Sequence, residues 1–262
     1  MKSSGPPALD YERVAAMISD FISVQVRGRG AVLGLSGGVD SAVVASLSEK
    51  ALGKDRVKAL ILPDDECTPE GDTEDAISLA KELGIQHEVI NITGVTRAFF
   101  GAMRKAGSHV SEGNVRARIR MTALYYVANE EGRIVIGSGD RSELLLGYFT
   151  KYGDGGADIL PIGGLFKSQV IGMAKWLGVP PKIMNKRSSP RLWRDQLAEE
   201  ELGMPYSRID AILYALYDLR LSVDEVVKAL GEGSQKDVIS LVERIERNRH
   251  KLSTPPIAKI TD

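Results

Sequence analysis

The stretch Ala31–Leu47, AVLGLSGGVDSAVVASL, constrains this chain more than any other. Apolar residues from Ala31 to Leu35 make the pattern of a buried strand, and apolar residues resume after Asp40 in the pattern of a helix. Between them stands Ser36-Gly37-Gly38-Val39-Asp40-Ser41. Glycines let the backbone come close to a ligand, and a helix starting at about Asp40 turns its free N–H groups and positive dipole end toward the turn. A phosphate is the natural guest. The turn lacks the Gly-Lys-Ser/Thr ending of a Walker loop and the spaced glycines of the dinucleotide fingerprint. It carries an acid instead. A carboxylate beside a phosphate is stable when a divalent cation lies between them, and hard oxygen ligands suit magnesium. The plainer alternative makes Asp40 a helix N-cap.

Elsewhere the patterns alternate. Tyr11 to Val26 carries a helical stripe (Val14, Met17, Ile18, Phe21, Ile22), and β-type runs follow at 31–35, 57–62 and 87–92, with helical segments such as Thr73 to Leu83 between them. A fourth run, RIVIGSG at 133–139, follows a long helical segment from Asn114 to Ala128 and reads as another inner strand. From Ser168 onward only helical patterns remain, broken at 185–196. The expected fold is α/β: an open, mostly parallel sheet with helices on both faces and a helical C-terminal part. We expect a single domain over 1–262, with its sheet core at about 28–150 and a mainly helical and loop part at about 151–262. Ligands of such sheets bind beyond the carboxyl ends of the strands, here after Leu35, Leu62 and Ile136.

Charge and cysteine content narrow the function. The 34 basic and 35 acidic residues leave a formal net charge of −1, so no overall field draws the chain to nucleic acid or to an anionic membrane. The lone Cys67 excludes an internal disulfide and a cysteine metal cluster. No signal-like or membrane-spanning run occurs, and a cytoplasmic location is expected.

The hexapeptide Ser36–Ser41 resembles the pyrophosphate loop of ATP pyrophosphatases, which split ATP into AMP and pyrophosphate while activating a carbonyl oxygen. Three further blocks separate the members of that group: GNVRARIRM at 113–121, GSGDRSELLLGYFTKYGDGGADILPIGGLFKSQV at 137–170, and RHK at 249–251. In order and spacing they are similar to the short, ammonia-using NAD synthetases, and the match covers nearly the whole chain. The resemblance implies an adenine-nucleotide hydrolase-like fold. It puts Gly34, Leu35, Ser36, Gly37, Gly38, Val39, Asp40, Ser41, Ser138, Lys167 and Ser189 on ATP, and Asp40 and Glu143 on Mg2+. Arg118, Lys151, Asp158, His250 and Lys251 fall on deamido-NAD, while Asp40 and Lys167 carry the catalysis. Ammonia is the implied nitrogen source, and a homodimer is implied through the helix bearing Leu124, Tyr125 and Val127.

Each position also has a plainer reading. Glu143 can serve the first turn of a helix, and Arg116 and Arg120 can be a salt-bridged helix surface. Two rival functions remain: another amidating or thiolating ATP pyrophosphatase, or an ATP-sensing DNA-binding protein using Leu221 to Lys251 as a helix-turn-helix. The chain departs from the family pattern at Ser188-Ser189-Pro190-Arg191-Leu192, where Arg191 stands in place of the usual aspartate. Two roles are open to Arg191: pairing with a phosphate through its planar fork, or pointing to solvent, drawn off by Glu199, Glu200 and Glu201. Because magnesium, Lys167 and the amide-rich turn already face the triphosphate and Pro190 stiffens the backbone, we expect the second. Truncation of Arg191 then changes the KM for ATP by less than about threefold.

Overall fold

The computed structural model describes residues 5–103, 107–258 and 260. Helix α1 (Tyr11–Val26) has the bounds its apolar stripe implies; Asp10 caps it by accepting from the Arg13 N–H, and it buries Ala15, Ile18, Ile22 and Val26. Strands β1 (Ala31–Gly34), β2 (Val57–Ile61), β3 (Gln86–Val89) and β4 (Ile134–Ile136) form one parallel sheet ordered β3-β2-β1-β4. Helix α2 (Val39–Leu52) links β1 to β2, α3 (Glu70–Glu82) links β2 to β3, and α4 (Thr93–Met103) and α5 (His109–Glu131) lead to β4.

Alternate residues of β1, β2 and β4 serve opposite faces, and both faces are buried there, whereas the edge strand β3 is largely exposed. Ala31, Leu33, Val57 and Ala59 pack with α1, α2 and α7 (Lys167–Trp176). Val32, Leu60 and Val135 pack with Val127 and Ala128 of α5. This two-sided burial is why β1 and β4 read as apolar runs; β2 is interrupted by Lys58, and the exposed β3 is mostly polar. A third cluster joins Leu146 of α6 (Arg141–Leu146), Phe166, α9 (Ala198–Leu202) and α10 (Tyr206–Tyr217) to α11 (Val223–Leu230) and α12 (Gln235–Asn248). The short α8 (Pro181–Met184) sends Ile183 into the first.

Three segments differ from the sequence reading. The run at 133–139 yields a three-residue strand at the edge of the sheet, not an inner one. Its open side is covered from within the chain: Asp158 Oδ2 accepts from the Val135 N–H at 2.8 Å, and Ile159 bridges Ile136. Helix α5 extends beyond 114–128 at both ends, started by Ser108, whose hydroxyl accepts from the Ser111 N–H. The pair α11–α12 spends its apolar stripe (Val226, Val238, Leu241, Ile245) inside the third cluster, packed like any other core helices. Among the described residues, no helix is long and apolar enough to cross a membrane.

The strand order has one consequence for function. Chain growth runs from β1 outward to β3 and then jumps across β1 to β4, so the loops after β1 and β4 diverge and leave a crevice between them. Register brings both strands to that crevice, with Leu33 beside Ile136.

Candidate active site

A cleft of about 1830 Å3, open mouth included, occupies this crevice. The entire stretch 34–41 lines it, together with Ser138, Glu143 and Ser189. The turn is rigid. Ser41 Oγ donates to the Gly38 carbonyl at 3.0 Å and accepts from the Ser36 N–H at 3.2 Å, and the two serine hydroxyls lie 3.0 Å apart. Gly37 has φ 76°, and a Cβ there would lie 2.1 Å from the Asp72 carbonyl oxygen, so both conformation and space demand glycine. Helix α2 begins at Val39 with Gly38 as its N-cap and no side-chain cap. Asp40 is therefore not the cap, and the first N–H groups of α2 remain for an anion.

Behind the turn lies a nest of charge. Lys167, 1% exposed, holds its Nζ 2.8 Å from Asp40 Oδ1, 2.9 Å from Asp140 Oδ2 and 3.0 Å from Glu143 Oε1. Glu143 alone receives a well-formed hydrogen bond; Asp40 Oδ1 and Asp140 Oδ2 are buried at ion-pair distance without one. The plainer reading of Glu143 also holds. Asp140 and Glu143 form the capping box of α6, in which Asp140 Oδ1 accepts from the Glu143 N–H at 2.8 Å and Glu143 Oε2 from the Asp140 N–H at 3.3 Å. Asp210 of α10 fixes the start of α7 by accepting from Ser142 Oγ and the Ser168 N–H, and Ser142 Oγ accepts from the Lys167 N–H.

One ammonium among three carboxylates leaves excess negative charge. Burial, with the neighbouring acids, pushes Asp140 up to about 6 and Glu143 up to about 8 despite Lys167. Burial opposes the charge on Lys167, but Asp40, Glu143 and Asp140 outweigh it and raise its pKa well above the ordinary lysine value. Carboxylate oxygens that share a single ammonium, with surplus negative charge around it, fit a hard divalent cation. Among the described residues, no group of three acids, histidines or cysteines could hold a metal ion by itself. A cation on Asp40 and Glu143 would therefore share its coordination with phosphate oxygens, as magnesium usually does.

The residues expected on deamido-NAD divide into two places. Arg118 Nε and Nη2 donate to the Lys151 carbonyl at 3.3 Å, Lys151 Nζ donates to the His250 carbonyl at 2.7 Å, and Lys251 Nζ donates to the carbonyls of Gly147 and Phe149. These four meet where α5, the 147–156 turn and the end of α12 converge. Asp158 lies apart, at the β4 edge, where it also accepts from Tyr125 OH at 3.0 Å and borders a polar groove with Gln25, Arg27 and Arg29.

The departing loop behaves differently from its sequence reading. Arg191 does not run to solvent toward Glu199–Glu201; its Nε donates to Asp72 Oδ2 at 2.8 Å, and the residue lines the cleft. The acids are engaged elsewhere: Glu201 with Tyr148 OH, Glu200 with Arg187, Glu199 with the Tyr206 N–H. Arg116 is no surface residue either, being 5% exposed and paired with buried Asp64 at 2.9 Å, while Arg120 donates to the Leu62 carbonyl at 2.9 Å inside the cleft.

Sequence reasoning missed Asp140, Asp72 and Lys186. The first had a signal, since Asp140-x-x-Glu143 is a capping-box spacing. The other two had none.

A glycine turn facing acids across a switch-point crevice makes this an α/β enzyme of phosphorylated nucleotides. The family model NAD synthase matches residues 11–255, and the chain belongs to that family. It is 53% identical over 251 residues to the NH(3)-dependent NAD(+) synthetase of Hyperthermus butylicus, covering 95% of this chain and 91% of that one. With the enzyme of the same name from Archaeoglobus fulgidus it shares 45% over 262 residues, covering 97% and 99%. Among solved structures, the NH3-dependent NAD synthetase of Campylobacter jejuni, in complex with nitrate, superposes with a TM-score of 0.81 at 33% identity, covering 96% of this chain and all of that one. The NMN synthetase of Francisella tularensis superposes with a TM-score of 0.85 at 35% identity over the same shares.

Proposed function

We propose that this protein amidates deamido-NAD to NAD with ammonia, driven by cleavage of ATP to AMP and pyrophosphate. The observation that carries this reading is the Gly34–Ser41 turn, which presents the uncapped start of α2 to an anion in a chain whose relatives are NAD synthetases. A carboxylate cannot be amidated directly because it has no competent leaving group. The nicotinate oxygen of deamido-NAD attacks the α-phosphorus of ATP, the bond to pyrophosphate breaks, and ammonia then attacks the acyl carbon and displaces AMP.

The chain's own groups bind and orient. The amides of Gly37, Val39, Asp40 and Ser41, which the turn leaves free, donate to phosphate oxygens, and Ser138 and Ser189 line the nucleotide space. Magnesium on Asp40 and Glu143 would offset charge on the departing pyrophosphate. Lys167, buried behind the cleft, keeps the acid nest from being more negative still and acts on ATP through the Asp40 and Glu143 carboxylates it holds. Arg118, Lys151, His250 and Lys251 bind deamido-NAD, and Asp158 marks a second contact with it at the β4 edge. We read the chain as one catalytic domain, working as a homodimer in the cytoplasm without nucleic acid or membrane partners.

The test is NAD formation by purified protein with ATP, magnesium and ammonium, set against glutamine. Ammonium supports turnover and glutamine does not; glutamine-driven NAD formation by the pure chain would overturn the nitrogen assignment. Because one structural relative is an NMN synthetase, nicotinate mononucleotide is run beside deamido-NAD. A larger kcat/KM for the mononucleotide would reassign the acceptor.

A further inference from the structure

Several cations line the cleft, and they are engaged to different degrees. Lys186 is spent: its Nζ lies 3.1 Å from the Gly37 carbonyl, 2.7 Å from Asp72 Oδ1 and 2.7 Å from Asp75 Oδ2, three acceptors for three donors. Arg191 is not. Only its Nε is engaged, on the other oxygen of the same Asp72, and among the described residues neither terminal nitrogen has a hydrogen-bond acceptor. The backbone is pinned as well. Arg191 adopts φ 52°, an unfavourable region for a residue with a side chain. That conformation is held from both sides: its N–H donates to Ser189 Oγ at 3.2 Å, and its carbonyl accepts from Cys67 Sγ at 3.2 Å.

Asp72 thus ties Arg191 to the phosphate turn. It sits against Gly37 through its own carbonyl oxygen, and it binds Lys186, whose ammonium also binds Gly37. A guanidinium held by Nε keeps its two outer amino groups free in one plane, the arrangement that grips phosphate oxygens. The geometry points to Arg191 as a phosphate-reading residue that selects the triphosphate of ATP, with Asp72 as the residue that positions it. This assignment rests on the reading of the cleft as the ATP site. It makes the charge reversal at this position a gain of a ligand, and it contradicts the solvent-facing role expected from sequence.

The experiment is titration calorimetry of ATP and of AMP against wild type, Arg191→Ala, Arg191→Gln and Arg191→Lys, each first shown to unfold cooperatively. AMP lacks the outer phosphates, so it reports whether the rest of the cleft is intact. Expected are a rise of about tenfold or more in the Kd for ATP with Arg191→Ala and Arg191→Gln, a Kd for AMP within about twofold of wild type, and partial recovery of ATP binding with Arg191→Lys. Should the alanine variant not fold, the glutamine variant, which keeps much of the side-chain stem, carries the same expectation. Wild-type ATP binding with less than about a threefold change in either variant overturns the assignment and leaves the cleft reading standing. Equal losses for ATP and AMP also overturn it, since they indicate a structural lock. A wild-type protein that binds no ATP at all brings down both.

Discussion

Two buried ionic clusters, one around Asp64 just after β2 and one around Lys167 at the loops after β1 and β4, are built on opposite principles. Asp64, wholly buried, is ringed by donors: the Glu66 N–H and Thr93 Oγ1 at one oxygen, and Arg116 Nε at the other beside Thr96 Oγ1, whose proton is shared with the Thr93 carbonyl. Arg116 in turn reaches Glu66 and lies over the Phe100 ring. Around Lys167 the balance fails: three carboxylates share one ammonium, and two buried oxygens lack a hydrogen bond. A fold has no use for such a deficit, because an unpaired buried charge costs more than an apolar replacement. The satisfied cluster holds α4 and α5 to the sheet. The unsatisfied one faces the cleft and waits for positive charge.

The largest expected effect lies in the satisfied cluster. Arg116→Met leaves the buried Asp64 carboxylate without its counter-charge, and loss of one partner from a buried pair costs about 3–5 kcal/mol of stability. Urea denaturation measures it. A loss below about 1 kcal/mol would mean that the threonines and the Glu66 amide suffice and that Arg116 is free for another task.

Next comes the same kind of substitution in the nest, with the opposite division between stability and activity. Asp40→Asn keeps the shape and removes one negative charge from an over-negative site, so stability changes by less than about 1 kcal/mol in either direction. Pyrophosphate release falls by at least about 100-fold, a barrier increase of roughly 2.7 kcal/mol. An Asp40→Asn protein as destabilised as Arg116→Met, or one that still releases pyrophosphate at the wild-type rate, would erase the distinction between the clusters.

Both clusters were only partly legible in the sequence, for a physical reason. The phosphate turn is a local object: a strand, two glycines and a helix start within a dozen residues, so its chemistry could be read directly. Asp140 was within reach as a helix cap, but nothing local reveals that its other oxygen meets Lys167 from a helix beginning 27 residues later. The Arg191–Asp72 contact spans 119 residues and depends on a left-handed backbone at Arg191. Charge counting around that loop favoured the nearby glutamates, which the fold had already engaged with Tyr148, Arg187 and the Tyr206 amide. The division of Asp158 from Arg118, Lys151 and His250 was hidden for a related reason: whether a side chain covers a sheet edge depends on which strand lies there.

The smallest effect separates the clusters by the sign of their pH dependence. The Asp64 carboxyl is pushed up by burial, but the Glu66 amide and the Arg116 guanidinium outweigh that and hold it below the ordinary carboxylate range. Its contribution to stability is present above the unfolded pKa and is lost as pH falls through the folded one. Asp140, at about 6, is raised by burial and by the Asp40 charge, and Glu143, at about 8, by burial and by the charges of Asp140 and Asp40. Their contribution is complete below the unfolded carboxylate pKa and is lost as pH rises through 6 and then 8. In chelator, the protein should therefore lose stability as pH rises through that window, by at most about 1.4 kcal/mol per pH unit for each proton released. Glu143→Gln, which cannot ionise, should flatten the upper part of that slope, while Arg116→Met leaves it unchanged. Stability that rises with pH across the window would show that the nest is not short of positive charge, and the contrast with Asp64 would fail at its electrostatic root.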